Sequence, residues 1–121
     1  MHDKYNTLEE RIKLFKSITD LMVETYSKKS KDYGTDTLDF LYSVKGFDYY
    51  LQRDLEKLLR LDSINASGEI KVEDESIIDS LLDKAVMAII AIIQFKRGKA
   101  HLNKSNQTII GELKKLIDER K

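Results

Sequence analysis

Hydrophobic residues recur at steps of three and four along most of the chain, which is the period of an amphipathic helix. The first helix is predicted to start at Thr7, because Glu10 follows three residues later and completes a capping box. Six apolar residues at helical spacing predict one buried stripe on this helix: Leu8, Ile12, Phe15, Ile18, Met22 and Tyr26. The charged segment 28–36 is expected to form the loop that follows, with Gly34 in its turn.

The middle of the chain keeps the helical period over residues 37–61, which predicts a second helix or two helices in series. Gly46 is the expected break, since glycine often interrupts a helix. Residues 63–74 are mostly polar and surround Gly68, so this segment is predicted to be a long loop.

Two further helices are predicted in the last third of the chain. Asp74 is placed to cap a helix that runs to about Arg97 and stops at Gly98. A short amphipathic helix follows within 104–121. Proline is absent and there are only five glycines, which favours long helices over a sheet with many turns. The sequence therefore predicts an all-α bundle of four to five helices in a single domain, 1–121.

Composition excludes several classes of function. The chain has 21 Lys and Arg against 21 Asp and Glu, so it lacks the positive field of a general nucleic-acid-binding protein. The absence of cysteine excludes disulfides, thiolate metal sites and thiol catalysis. The N-terminus lacks the pattern of a signal peptide, and the longest apolar run, 85–93, is about half a membrane span. We therefore expect a cytoplasmic protein without a membrane segment.

Three carboxylates recur every four residues at the start of the helix that follows Asp74: Glu75, Asp79 and Asp83. They fall within an arc of about 80°, beside an apolar stripe centred on Ile78. Carboxylates in a groove between packed helices are suitable ligands for Mg²⁺. Acids near the start of an exposed helix are also favoured by the helix dipole. A metal site and a solvated helix end are both consistent with this spacing.

Two other charged clusters are candidates for related chemistry. Four residues lie within two turns of the middle helix: Arg53, Glu56, Lys57 and Arg60. Their cations suit phosphate and their acid suits a metal, although ordinary surface ion pairs have the same spacing. Three residues lie in the predicted loop after the first helix: Lys31, Asp32 and Tyr33. They suit a phosphate or base contact, or only a turn that ends the helix.

Three segments, KKSKDYG, RDLEKLLRL and VEDESIIDSLLDKA, together resemble a phage and bacterial family called nucleotide modification associated domain type 1. The family pattern has a KKNxDYG segment, an acid-Lys-x-x-Arg step on a helix, and a V-x-DES-x-x-D-x-L-x-D-x-A segment that continues into an apolar helix. The resemblance covers about residues 15–95. More distantly, the layout is similar to the MazG-like and dimeric dUTPase group of all-α nucleotide pyrophosphohydrolases.

The resemblance implies an enzyme that uses Mg²⁺, or Mn²⁺ in its place, to cleave a standard or modified nucleoside triphosphate to monophosphate and pyrophosphate. The implied metal ligands are Glu56, Glu75, Asp79 and Asp83. The implied catalytic residues are Glu56, Lys57 and Arg60. The resemblance implies Asp32 and Tyr33 as nucleotide contacts, and the charged clusters themselves suggest Lys31 and Arg53 as phosphate contacts. A homodimer through the helix around 75–97 is also expected, because residues 85–93 are apolar nearly all the way round.

The sequence departs from the family pattern after the last acid. Lys84, Val86 and Met87 stand where the family has an apolar residue and then an Asn-Tyr pair, and Glu56 stands where Asp is more usual. Two alternatives to an enzyme therefore stay open. One is a protein that binds a nucleotide without cleaving it. The other is a small phage-encoded inhibitor that binds a host protein, with the acids as solvated surface.

Overall fold

A computed structural model describes residues 4–33, 36–68, 75–105 and 107–120, with the backbone alone for Asp32, Tyr33, Glu75 and Ser76. The described residues form helices and no strand, which confirms the all-α prediction. The helices are α1 (Leu8–Tyr33), α2 (Asp36–Lys45), α3 (Asp48–Ser67), α4 (Glu75–Lys96) and α5 (Ile109–Glu119). The chain divides into two units, 1–35 with α1 and 36–121 with the other four helices. That the two units act as one domain stays a prediction.

Side chains fix the start of α1 as the capping box predicts. The backbone N–H of Glu10 donates to Thr7 Oγ1 at 3.1 Å, and the Glu10 carboxylate accepts from Thr7 Oγ1 at 3.1 Å and from Tyr5 N at 3.0 Å. Arg11 donates to the carbonyl oxygens of Tyr5 and Asn6 at 2.9 and 2.7 Å. The bond to Thr7 Oγ1 satisfies the N–H of Glu10, one of the groups that a helix start leaves without a helical partner.

The far end of α1 and its apolar stripe differ from the prediction. Residues 28–33 continue the helix to Tyr33, so the predicted loop 28–36 is wrong over most of its length. No residue before Gly34 breaks a helix, and a basic last turn is favoured by the dipole. The stripe is not buried, since Leu8 is 69% and Phe15 is 72% exposed. Helical spacing predicted the face correctly but could not show whether another element covers it.

Gly46 separates α2 from α3, which confirms two helices in series. Its φ of +65° is a left-handed conformation that side chains disfavour. Asn103, from the segment after α4, bonds both helix ends at this junction. Its Oδ1 accepts from the N–H of Asp48 at 2.9 Å, and its Nδ2 donates to the carbonyl of Lys45 at 2.7 Å. The N–H of Phe47 donates to the carbonyl of His101 at 2.8 Å. The chain beyond α4 therefore holds the α2–α3 junction.

The start of the predicted loop 63–74 is wrong, because α3 continues to Ser67. Gly68 then ends the helix with φ +68°, and its N–H donates to the carbonyl of Ile64 at 3.2 Å. The remainder of this loop and the predicted cap Asp74 lie outside the described residues.

The last two helices agree closely with the prediction. Helix α4 ends at Lys96, and the N–H of Gly98 donates to the carbonyl of Phe95 at 3.1 Å. Thr108 caps α5, since its Oγ1 accepts from the N–H of Gly111 at 2.9 Å. None of the described helices is long and apolar enough to cross a membrane.

Aromatic rings fill the space where α2, α3 and α4 meet. Tyr42 is 2% exposed and packs edge-on against Tyr49, with ring centroids 5.2 Å apart. Phe47 stacks on Tyr50 at 5.3 Å and contacts Phe95 at 5.4 Å. Burial raises the pKa of Tyr42 to about 12. Tyr49 and Tyr50 therefore contribute to this aromatic packing.

A second link joins the start of α2 to the end of α4. Asp39 accepts from Arg97 through both carboxylate oxygens, at 2.7 and 3.1 Å, and from the buried Gln94 at 2.9 Å. The hydrogen bond from Arg97, followed by that from Gln94, lowers the pKa of Asp39 to about 2. The carboxylate is therefore stabilised in its ionised form by the folded chain.

The junction at Gly46 predicts a large loss of stability for Gly46→Ala. A Cβ there would lie 2.6 Å from Asn103 Oδ1 and 2.8 Å from His101 Nε2. Gly68→Ala is the matched control, because Gly68 has the same left-handed φ and nothing within 4 Å of the added Cβ. We expect Gly68→Ala to cost about 1 kcal/mol of unfolding free energy from conformation alone. Gly46→Ala should cost about 2–4 kcal/mol, because the clash adds to that term.

Urea unfolding followed by circular dichroism measures both losses. Equal losses for the two variants would contradict the proposed role of Asn103 at this junction.

The lowered pKa of Asp39 predicts an acid-dependent contribution to stability. The pKa falls from 3.8 to about 2, so the stabilisation is present above about pH 4 and is lost as the pH falls towards 2. The difference in unfolding free energy between wild type and Asp39→Asn should shrink over this range. Asp36→Asn, an exposed change in the same helix, serves as the control. A wild-type advantage that is constant between about pH 2 and pH 6 would contradict the prediction.

Candidate functional site

Two ion pairs cross between α3 and α4, and they determine how these helices face each other. Lys57 Nζ of α3 lies 3.2 Å from Asp83 Oδ2 of α4. Lys84 Nζ of α4 lies 2.6 Å from Asp54 Oδ1 of α3. All four side chains are partly buried, with exposed fractions between 19% and 40%. The helices pack along their lengths, and these pairs mark the two edges of the contact.

The ion pairs also bring together the second and third motif segments. The helices run antiparallel, because Lys57 is level with Asp83 while Ile64, further along α3, is level with Ile77, near the start of α4. One turn along from the Lys57–Asp83 pair, this register puts Arg60 level with Asp79. The middle cluster and the acids of α4 therefore share one edge of the helix pair.

We call this edge the site face. It consists of six charged residues: Arg53, Glu56, Lys57, Arg60, Asp79 and Asp83. Residues three or four apart lie on the same side of a helix, which places Arg53 and Arg60 beside Lys57 and places Asp79 beside Asp83. Glu56 lies about 100° round α3 from Lys57 and pairs with Arg53, so it stands at the exposed outer margin of this face. Most of the predicted site residues thus gather on one surface.

The six side chains differ in exposure and in the contacts they make. Arg53 Nη1 lies 3.3 Å from Glu56 Oε2, and their side chains are 47% and 67% exposed. Arg60 and Asp79 are exposed to solvent, whereas Lys57 is largely covered by the helix contact. The exposed side chains are able to reach a ligand without a change in the helices. Lys57 is fixed where the two helices meet.

The structure corrects one step of the argument from sequence. The apolar stripe centred on Ile78 was expected to be the packed face of α4, but Ile78 and Leu81 are 54% and 50% exposed. Helix α3 lies instead on a more polar face that contains Ser80, which is 2% exposed, together with Lys84. The acids lie between these two faces, so α3 reaches them from the side opposite to the one expected.

The remaining predicted residues are only partly located. Lys31 lies exposed in the last turn of α1, within the first unit, and its placement in a loop is wrong. Asp32 and Tyr33 also belong to that helical turn rather than to a loop, and their side chains lie outside the described residues. Glu75 is the first residue of α4, and its side chain is likewise not described. The proposed roles of these four residues stay predictions.

The carboxylate oxygens of the site face fit only one kind of Mg²⁺ site. Among the described side chains, no three His, Cys, Asp or Glu residues are close enough to hold a metal ion. A cation that needs a complete cage of protein ligands therefore does not fit this part of the chain. Mg²⁺ commonly binds one or two carboxylates and takes its other oxygens from water and phosphate. Asp79 and Asp83, one turn apart on α4, supply two such carboxylates.

A cavity of about 320 Å³ lies near the site face, where α3 ends and α4 begins. It is lined by Leu61, Ile64, Asn65, Gly68 and Ile77. None of these residues is charged, so the cavity is not the predicted metal or phosphate site.

Sequence reasoning missed the roles of Asp54 and Lys84. Lys84 departs from the family pattern, and the structure uses it to pair with Asp54 on the edge opposite the site face. One signal in the sequence could have indicated these pairs. Each helix has an acid and a lysine close together, Asp54 and Lys57 in α3 and Asp83 and Lys84 in α4, so both can face the same neighbouring helix. Without knowing which helices pack, that signal does not specify the pairs.

Comparison of the chain with protein-family models, with curated proteins and with solved structures gives no match. The geometry of α3 and α4 is therefore the main evidence on function.

The partial burial of the Lys57–Asp83 pair predicts measurable coupling between the two residues. A double-mutant cycle with Lys57→Met and Asp83→Asn should give a coupling of about 1 kcal/mol in the free energy of unfolding. The exposed Arg53–Glu56 pair is the internal control. Its cycle, with Arg53→Met and Glu56→Gln, should give about 0.3 kcal/mol, because solvent screens it. Equal couplings would contradict the view that Lys57 and Asp83 help to fix the helix register.

Proposed function

We propose that the protein binds a nucleoside triphosphate together with Mg²⁺ at the site face and cleaves it to a nucleoside monophosphate and pyrophosphate. The observation that carries the proposal is the contact of Lys57 with Asp83, at 3.2 Å. This contact joins the acid-Lys-x-x-Arg step of α3 to the acids of α4, which are the two segments with phosphate-binding and metal-binding residue types. Two distant stretches of sequence thus supply one surface with both chemistries.

The charge of the site face explains why a divalent cation would be required. The face has three cations, Arg53, Lys57 and Arg60, and three carboxylates, Glu56, Asp79 and Asp83, so it is neutral on balance. A neutral surface attracts a triphosphate weakly, because its acids repel the phosphates as its bases attract them. One divalent cation held by the acids would make the face positive by two charges. Nucleotide binding is therefore expected to depend on Mg²⁺ or Mn²⁺.

The reaction is attack of a water oxygen on the α-phosphorus. The bond from that phosphorus to the oxygen that bridges to the β-phosphate breaks, and pyrophosphate leaves. When bound, Mg²⁺ would supply a Lewis acid for the phosphates and lower the pKa of a bound water. Arg60 and Arg53 would contact phosphate oxygens through their planar guanidinium groups. Lys57 would neutralise charge that develops on the leaving pyrophosphate. Glu56 would orient the attacking water through a hydrogen bond and take up the proton that the water loses as its oxygen bonds to phosphorus.

Residues outside the described geometry complete the proposal. We infer that Glu75 adds a third acid of α4 to the metal ligands. Asp32 and Tyr33 would contact the nucleotide, as the resemblance implies, and Lys31 would contact phosphate. A nucleotide substrate also places the protein in the cytoplasm, where nucleotide pools are found. A homodimer would cover the exposed apolar side chains of α4, and light scattering should then give twice the chain mass of 14.1 kDa.

A second candidate is nucleotide binding without cleavage. It is favoured by the departures from the family pattern at Lys84, Val86 and Met87. Lys84 is engaged with Asp54 at 2.6 Å, and Val86 is 8% exposed, so these residues support the fold and do not reach a ligand on the site face. If the Asn-Tyr pair of the family contributes to turnover, this chain lacks that contribution. The same site face would still hold Mg²⁺ and phosphate.

The test is pyrophosphate release from ribo- and deoxyribonucleoside triphosphates with Mg²⁺. The wild-type protein should release pyrophosphate, and Asp79→Asn with Asp83→Asn should lower the rate by about a hundredfold or more. Asp62→Asn is the matched control, since it neutralises an exposed acid of α3 outside the site face and should leave the rate nearly unchanged. Removal of the metal with EDTA should abolish release in every variant.

Other outcomes separate the alternatives. Retention of intact nucleotide, measured by Mg²⁺-dependent equilibrium dialysis without release of pyrophosphate, would support the binding protein. Neither binding nor cleavage of any nucleotide would overturn both candidates. The acids would then be solvated surface, as in an inhibitor that binds a host protein.

A further inference from the structure

Within the unit 36–121, helix α4 has a second apolar face that no described element covers. We call it the outer face of α4, and it consists of Ile78, Leu81, Ala85, Ile89 and Ile92. The four large side chains are 54%, 50%, 44% and 58% exposed, in chain order. This face lies about 150° round the helix from the side that contacts α3. The face extends for about 21 Å along the helix. Large contiguous apolar patches are rarely exposed on monomeric proteins and often mark interaction sites.

The spacing of the outer face is symmetric. Leu81 and Ile89 lie four residues on either side of Ala85, and Ile78 and Ile92 lie seven residues on either side of it. A twofold axis through Ala85 would therefore place Ile78 against Ile92 of a second copy, and Leu81 against Ile89. Every large residue of the face would meet another large apolar residue. The smallest side chain would lie on the axis, where two helices approach most closely.

The order of charges along α4 decides the relative direction of two copies. The helix begins with acids, Glu75, Asp79 and Asp83, and its C-terminal end is basic, with Lys96 and then Arg97. A parallel pair would place acids beside acids and bases beside bases. An antiparallel pair would place the basic end of each copy beside the acidic start of the other.

We propose that two copies of the chain pair antiparallel through the outer faces of α4, with Ala85 on the twofold axis. The proposal rests on the dimer inferred under the proposed function and specifies its geometry. In this register Lys96 of one copy lies beside the first turn of α4 in the other, next to the start of the acid series. The second copy thus contributes a cation close to the site face.

Cysteine cross-linking tests the geometry directly, because the natural chain has no cysteine. Ala85→Cys should form a disulfide-linked dimer under mild oxidation. A disulfide needs a distance of about 4.4–6.8 Å between the two Cα atoms, and residues on the twofold axis approach within this range. Ser43→Cys, an exposed position on α2, is the control for chance collisions and should stay monomeric on a non-reducing gel. Circular dichroism confirms that each variant is folded before oxidation.

A second set of variants tests the direction of pairing. The double variant Ile78→Cys with Ile92→Cys should cross-link efficiently, whereas each single variant should not. A parallel pair would give the opposite result, because Ile78→Cys alone would then link to its own copy. Cross-linking of a single variant at position 78 or 92 would therefore overturn the antiparallel arrangement.

Light scattering of the unmodified protein completes the test. A monomer at micromolar concentration would overturn the proposal, and so would a dimer in which neither Ala85→Cys nor the double variant cross-links. All of these measurements are made without nucleotide or metal. Their failure is therefore distinguishable from a failure of the pyrophosphate assay, which tests the site face alone.

Discussion

The proposed site and dimer both depend on the pairing of α3 with α4 through two ion pairs. Helix α3 supplies the base of one pair and the acid of the other. Lys57 meets Asp83, and Asp54 meets Lys84, so each helix gives one acid and one base to the contact. Charges that are partly withdrawn from water are costly unless they are paired. A shift of the helices by one turn would separate both pairs at once. The charges therefore help to select one register, while apolar burial supplies most of the energy of packing.

This pairing gives α4 three sides with different roles. The side towards α3 contains polar residues such as Ser80 and Lys84 and is buried. The outer face is strongly apolar and yet exposed. The acids Asp79 and Asp83 lie between the two, where a ligand can approach from solvent. The outer face is the surface at which the dimer proposed above would form. A site beside such an interface would be shaped by both copies of the chain.

The two links made by the chain beyond α2 hold the helix pair in place. Asn103 bonds the end of α2 and the start of α3, and Asp39 bonds Gln94 and Arg97 near the end of α4. Both links join residues more than fifty positions apart. Asn103 satisfies backbone groups at helix ends that lack helical partners, whereas the Asp39 link joins side chains alone. The positions of α2 and α4 are thus set by specific hydrogen bonds as well as by the aromatic core around Tyr42.

The sequence by itself determined the all-α class, the capping box at Thr7, the break at Gly46 and the end of α4 next to Gly98, because each follows from contacts within a few residues. It also identified the charged residues of the site face, since residue type and helical spacing are local properties. Only the tertiary structure decided which face of α4 meets α3, which lysine pairs with which acid, and that Asp54 and Lys84 support the fold. Helical periodicity shows that a face is apolar, but burial depends on which other element packs against it. That choice is made by contacts between residues far apart in the chain, and a single sequence does not encode them in any local pattern.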